Sequence, residues 1–274
     1  MSGWQLSLIG PPPGDLDAAA MSAIAGCSDE ATIARIPLPT PRSGRVLLLG
    51  DLFRLRRHQH EQIVISGDVH FLHRLGYEWA TGSLLVEGDV GEELGTRMRS
   101  GAIEVRGNTA SRAACQMRGG VIRVSGNTGD DLGCPLPGLR SGMRGGRVVI
   151  AGTAGHHAGH RMRRGTVLIL GDCGHGVGSD MVAGTIAVGG NAGNFAAAGM
   201  KRGTLILARP AALDTIRFVR SRFAPLAIAQ LFARDMQSDA PQLAKLLDQP
   251  LERFLGDRSA GGQGELWQAS RPTV

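Results

Sequence analysis

GAIEVRG at 101–107, GVIRVSG at 120–126, GRVVIAG at 146–152, GTVLILG at 165–171 and GTIAVGG at 184–190 are copies of one short segment. The glycines that open the repeat units stand at 82, 101, 120, 146, 165, 184 and 203, so the step is 19 residues except for one step of 26. The seven extra residues of that step fall within Pro135–Gly142. Such strict self-similarity predicts an array of stacked, similar units.

Each unit contains a short β-branched or aliphatic run, a turn with the spacing GxxGxxxG, and a methionine. A unit made of two helices needs about 33 residues, whereas a strand and a glycine turn fit into 19. Stacked units pair each strand in parallel with its copy about 4.8 Å away. The pattern therefore predicts a mainly β protein, a right-handed parallel β-helix whose inner face includes Ile103 and Val105.

The flanks divide the chain further. We predict an irregular α/β cap and connector over residues 1–61, the β-helix over 62–209 with its regular repeats at 82–203, C-terminal helices over 210–257, and a flexible tail over 258–274. Arg45–Gly50 and Ile63–Gly67 are interpreted as earlier, less regular strands of the array. Asp239-Ala-Pro241 is typical of a helix start, because proline favours the first helical position.

Composition excludes several classes of protein. Hydrophobic residues make up 42% of the 274 residues, so the chain is not disordered. The net charge is +6, with 28 arginines among 30 basic residues, but no nucleic-acid-binding motif accompanies it. Neither a signal peptide nor a run of 18 apolar residues is visible. We expect a cytoplasmic protein with free thiols, in which Cys115 and Cys134 are packed side chains.

A basic residue directly follows the methionine in five of the six units. This basic edge consists of Arg99, Arg118, Arg144, Arg163, Lys201 and Arg202. Val182 interrupts it. Like charges on neighbouring units repel each other, so a bound anion would stabilise the edge. Three interpretations stay open: the edge binds a polyanionic tail, contacts another subunit, or faces solvent.

The middle residue of each strand should point outward. This position is charged in the early units and apolar in most of the late ones. An exposed apolar stripe needs a cover. We predict that Val149, Leu168 and Ile206 face a partner subunit, with the C-terminal helices as the alternative.

No catalytic or metal-binding set emerges. His156 and His175 are one period apart, with His157 and His160 nearby. Zinc requires three or four ligands, and no cysteine or carboxylate clearly completes the group. The alternative is a turn position that accepts any polar residue. Because no nucleophile, base and orienting group stand together in a motif, we assign no catalytic residues and no metal.

The repeat resembles that of a known family. Its glycine triplets, such as Gly126/Gly129/Gly133 and Gly152/Gly155/Gly159, are similar to those of the C-terminal domain of the glutamate synthase large subunit. They look still more like the C-type subunit of formylmethanofuran dehydrogenase, whose bacterial counterpart is the C-type subunit of the formyltransferase/hydrolase complex. The resemblance covers nearly the whole chain. A chain of 274 residues favours the C-type subunits over the glutamate synthase domain, which is part of a much larger polypeptide.

The resemblance implies a scaffold protein that is not an enzyme by itself. Its partners would be an amidohydrolase-like metal-bearing subunit, a formyltransferase subunit and a further subunit. Such a complex moves a formyl group between tetrahydromethanopterin and a methanofuran-type cofactor and releases formate during formaldehyde oxidation. The cofactor's polyglutamate tail would suit the basic edge. The alternatives are a glutamate synthase-like module that positions domains of an amidotransferase, and an independent polysaccharide lyase or hydrolase, which needs clustered acids and a secretion signal.

Overall fold

The computed structural model describes residues 3–10, 14–41, 44–58, 60–221 and 226–270. Within these ranges the protein is mainly β, with one large, mostly parallel sheet of 13 strands and few helices. None of the described helices is long and apolar enough to cross a membrane.

The N-terminal region comes first in the chain. Its strands are β1 (Gly3–Leu8), β2 (Leu16–Asp17), β3 (Pro37–Pro39), β4 (Val46–Leu48), β5 (Phe53–His58), β6 (Gln62–Ser66) and β7 (Leu72–His73). Its helices are α1 (Glu30–Ala34), α2 (Leu49–Leu52) and a 3₁₀ helix over Ala19–Ile24.

The array and the C-terminal region follow. The array strands are β8 (Ser83–Val86), β9 (Ala102–Val105), β10 (Val121–Val124), β11 (Arg144–Ile150), β12 (Arg164–Ile169), β13 (Thr185–Val188) and β14 (Arg202–Leu207). The C-terminal elements are β15 (Val219–Arg220), α3 (Leu226–Met236), α4 (Pro241–Leu246), β16 (Leu251–Gly256), a 3₁₀ helix over Arg258–Ala260 and β17 (Gln263–Ala269).

The predicted parallel stacking of the repeats is confirmed. Strands β8 to β14 pair in chain order, and Ile122 pairs with Ile103 on one side and Val148 on the other. A second row of parallel single-residue bridges joins the turns, from Val69↔Val90 to Cys173↔Ala192. Each repeat therefore contacts the next one at two places around its circumference.

The core lies between these two rows of pairing. Ile103, Val105 and their equivalents are at most 2% exposed, as the alternation within each strand predicts. The methionines form a second internal column, and all six of them are fully buried: Met98, Met117, Met143, Met162, Met181 and Met200. Unbranched methionine side chains fill the irregular gaps between stacked turns.

The seven-residue insertion does not disturb the stacking. β10 and β11 pair in register across it, and Leu139 within it is 41% exposed. The extra residues therefore leave the array as a surface loop between two intact repeats.

Two predictions for the flanks are wrong. β4, within Arg45–Gly50, pairs antiparallel with β3 in a separate two-stranded sheet, because no glycine turn follows it and α2 begins at once. The region 258–270 is not a flexible tail: β17 pairs in parallel with β14 and buries Leu266 and Trp267. The predicted helical region 210–257 contains α3 and α4 but also β15 and β16, while 271–274 lie outside the described residues.

Candidate functional site

The basic edge is one column in the structure, interrupted only at Val182. Arg118, Arg144 and Arg163 each donate the backbone N–H to the carbonyl of the methionine one repeat earlier, at 2.7–2.8 Å. Lys201 does the same to Met181 at 2.8 Å. The six side chains of the edge are exposed. Stacking thus places the cationic groups in one row on the surface.

The two ends of this edge differ in charge compensation. Arg99 pairs with Glu78 at 2.6 Å. Within the described ranges, the side chains of Arg118, Arg144, Arg163 and Lys201 form no hydrogen bond or ion pair, and Arg202 contacts only the neutral amide of Gln263, at 2.9 Å. The positive charge therefore concentrates at the later repeats.

Four arginines converge around one cavity, and we call Arg144, Arg163, Arg164 and Arg202 the arginine cluster. The cavity is about 340 Å³, and Val182 and Ala183 complete its lining. These two small residues occupy the repeat between Arg163-Arg164 and Lys201-Arg202, where longer side chains would fill the space. The sequence prediction missed Arg164, although the Arg163-Arg164 doublet was a usable signal.

The chemistry of the arginine cluster favours an anion. No carboxylate is among the described residues that line its cavity. A guanidinium group offers a planar pair of donors that matches both oxygens of a carboxylate. A ligand with several carboxylates would therefore satisfy several arginines together and relieve their mutual repulsion.

A second charged cavity shows the opposite arrangement. It measures about 450 Å³ and its lining includes Asp17, Arg74, Glu93 and Arg112. Arg74 pairs with Asp17 at 2.7 Å, and Arg112 with Glu93 at 3.1 Å. Its arginines are already neutralised within the chain, so it does not compete with the arginine cluster for anions.

The apolar stripe is covered by the chain itself. Val149, Leu168 and Ile206 are at most 7% exposed and pack in one cluster with residues of α3, α4 and β17. Ala187 completes the stripe, and Trp267 extends it from β17. The prediction that Val149, Leu168 and Ile206 face a partner is therefore wrong, because the C-terminal helices already bury these side chains.

An ionic contact fixes these helices to the array. The Asp239 carboxylate, 8% exposed, accepts hydrogen bonds from Arg123 at 2.8 Å and from Arg147 at 2.6 Å. Arg147 also contacts Asp235 at 2.8 Å. Burial by itself would raise the pKa of Asp239, but the two guanidinium groups outweigh it and hold that pKa below its ordinary value.

The polar turn position has a structural role. Its side chain accepts the backbone N–H of the next repeat: Asp130 from His156 at 2.6 Å, and His156 Nδ1 from His175 at 3.0 Å. The rings of His156 and His175 stack at 5.0 Å. An acceptor role fixes Nδ1 without a proton, so Nε2 carries the hydrogen and is not a free metal ligand.

Metal and thiol chemistry are likewise not supported by the geometry. Among the described residues, no group of three His, Cys, Asp or Glu side chains could hold a metal ion. Cys115 and Cys134 are free and buried. Burial raises the pKa of Cys115 to about 12 and raises the pKa of Cys134 as well, so both are protonated at neutral pH.

Comparison with known proteins identifies the family. No protein-family model and no curated protein matches the sequence. A chain of the crystal structure of the formyltransferase/hydrolase complex (FhcABCD) from Methylorubrum extorquens in complex with methylofuran matches with a TM-score of 0.88 and 34% identity. The match covers 97% of this chain and 100% of that chain. The chain therefore belongs to a family of subunits of the formyltransferase/hydrolase complex.

Proposed function

We propose that this chain is the C-type subunit of a cytoplasmic formyltransferase/hydrolase complex and has no active site of its own. The match over the full length of a chain from such a complex supports this assignment. The two rows of parallel pairing favour a right-handed parallel β-helix, because parallel crossovers are almost always right-handed. A rigid array of this kind suits a scaffold.

The proposed partners carry the chemistry. An amidohydrolase-like subunit with bound metal would release formate, and a formyltransferase subunit would exchange the formyl group between tetrahydromethanopterin and a methanofuran-type cofactor. The assembly also includes a further subunit and serves formaldehyde oxidation in one-carbon metabolism. The lack of a nucleophile–base set in the motifs of the array agrees with this division of labour.

The arginine cluster supports a second part of the proposal, namely that this chain holds the cofactor's polyglutamate tail. The single observation behind it is the convergence of four arginines on a cavity with no carboxylate among its described lining residues. Successive glutamates present carboxylates at short, regular intervals. Arg144, Arg163, Arg164 and Arg202 would bind them, while Arg118 and Lys201 extend the positive surface along the basic edge.

The test removes charge without reversing it. In the double variant Arg163→Gln/Arg164→Gln, two charge-assisted contacts of about 1.5 kcal/mol each are lost, which corresponds to about 100-fold weaker retention. The matched control is Arg54→Gln/Arg56→Gln, which removes two exposed arginines from β5. The assay is mass spectrometry of the cofactor that remains in the purified complex.

The expected result is an assembled complex that loses its cofactor in the first variant and keeps it in the control. Equal cofactor content in both assembled complexes would show that the tail is held elsewhere. A loss that occurs only when the complex falls apart would instead favour a contact between subunits at the basic edge.

A further inference from the structure

The turns of the array follow one bonding rule. In the turn Asp172–Gly176, Cys173 donates its N–H to Asn191 at 2.8 Å and accepts from Gly193 at 2.9 Å, while Gly176 donates to Asn194 at 2.8 Å. Two side chains add further bonds: Asp172 accepts the N–H of Asn191 at 2.6 Å, and His175 that of Asn194 at 2.9 Å. This turn thus offers five groups to its successor, and the three backbone groups among them recur in the earlier turns of the array.

The turn Asn191–Phe195 has no successor, and we call it the open turn. Within the part of the chain that the structure describes, the N–H and carbonyl of Ala192, the N–H of Phe195, and the side-chain carbonyls of Asn191 and Asn194 form no hydrogen bond. The residue 19 positions after Asn191 is Pro210, which lacks the required N–H. The chain leaves the array there.

Phe195 provides an independent observation. Its turn position holds Glu93, Arg112, Asp131, His157 and Gly176 in the preceding repeats. All six residues have a positive φ, a conformation that disfavours an aromatic residue. Phe195 is the one apolar member and is 73% exposed. An aromatic side chain placed in solvent at an unfavourable φ, on the one turn without a successor, indicates a contact surface.

A cavity adjoins this ring. It measures about 330 Å³ and is lined by Phe195, Ala196, Leu213 and Phe218 among others. Asp214 and Arg217 also line it and pair with each other at 3.6 Å. The open turn therefore combines unpaired backbone groups with a cavity that is apolar beside Phe195 and whose two charged lining residues pair with each other. Backbone groups and a side-chain pocket are the two elements by which an exposed strand edge recognises an extended peptide.

We propose that the open turn binds an extended segment of a partner subunit. The segment forms one further parallel bridge to the open turn and donates its N–H groups to the side-chain carbonyls of Asn191 and Asn194. It places an uncharged, apolar side chain in the cavity beside Phe195. The inference rests on the proposed membership in a hetero-oligomer. A second copy fits less well: its first turn is closed by the bond from His70 N–H to Asp68 at 3.1 Å, and head-to-tail stacking would not terminate.

Site-specific crosslinking tests this directly. A benzophenone-bearing phenylalanine at position 195 of the full chain, in the purified complex, is expected to crosslink to a short extended stretch of one partner subunit. The same group at position 157 occupies the equivalent place on a turn that already has a successor and serves as the control. Crosslinks from position 195 to a second copy, to this chain itself, or to no polypeptide would each overturn the proposal.

Amide exchange and affinity give the second readout. The amides of Ala192 and Phe195 should exchange rapidly in the isolated chain and become protected in the complex. Phe195→Asn suits the positive φ and should weaken assembly about tenfold through lost apolar contact, whereas His157→Asn should not. An assembled complex with unprotected amides refutes the docking site but leaves the proposed function standing, while a chain that forms no complex refutes both.

Discussion

Asp239→Asn is expected to loosen the C-terminal helices from the array. The Asp239 carboxylate is 8% exposed and bonds to Arg123 and Arg147 at 2.8 and 2.6 Å. Breaking a buried ion pair costs about 3–5 kcal/mol. Because Arg123 is 47% exposed, solvent screens part of the interaction, and we expect a loss of about 2 kcal/mol in the free energy of unfolding. The corresponding decrease in Tm is about 5 °C.

The control for this prediction is Asp235→Asn. Among the described residues, the Asp235 carboxylate pairs with Arg147 alone, at 2.8 Å, and its side chain is 53% exposed, so its replacement should cost no more than about 0.5 kcal/mol. Urea denaturation of both variants measures the difference. Equal stabilities of the two variants would refute the assignment of Asp239 as the contact that fixes the helices.

The pH dependence gives the same interaction a second readout. The pKa of Asp239 is lowered in the folded state, so its stabilisation is present above the unfolded pKa of about 3.9 and is lost as pH falls through the lower folded value. The stability difference between the native protein and Asp239→Asn should therefore be constant near neutral pH and shrink in acid. A difference that grows in acid would contradict this sign.

Three further predictions concern the array. Leu168→Ala, at a fully buried position of the apolar stripe, should lower the unfolding free energy by about 3 kcal/mol in urea; a change below about 1 kcal/mol would argue against the helix cover. Gly152→Ala should reduce Tm far more than Gly10→Ala, since the Cβ at 152 would meet the Gly126 carbonyl at 2.7 Å, whereas the Cβ at 10 would meet nothing within 4 Å and Gly10 has no positive φ. The thiols of Cys115 and Cys134, whose pKa values burial raises, should resist a thiol reagent until the protein is denatured; rapid reaction in the native state would contradict their burial.

The structure of the repeat array was predictable because each repeat interacts mainly with the repeats next to it in the sequence. Gly101 to Gly203 repeat one strand and one turn, so period and alternation alone indicate parallel pairing and the inner face. β17 was not predictable in this way: it joins the same sheet beside β14, but no glycine turn or methionine precedes it at the period. The position of β17 in the sheet depends instead on the tertiary contacts of its buried residues Leu266 and Trp267.

The candidate site was only partly predictable for a similar reason. The methionine-following column predicted Arg144 and Arg163, but the cavity exists because Val182 and Ala183 are small. In the sequence they are only an exception to the pattern. The burial of the apolar stripe could be predicted only if it were known that α3 and α4 pack onto β11 to β14. Neither feature follows from periodicity, because both depend on which distant segments meet.

Isolation of the tagged chain under native conditions, with its partners identified by mass spectrometry, tests the central claim most directly. Membership in a formyltransferase/hydrolase complex predicts that this chain elutes with an amidohydrolase-like chain, a formyltransferase chain and a further subunit, and that formate release accompanies the assembly and not the isolated chain. A chain that elutes without these partners, or that is itself active, would contradict the assignment as a scaffold subunit.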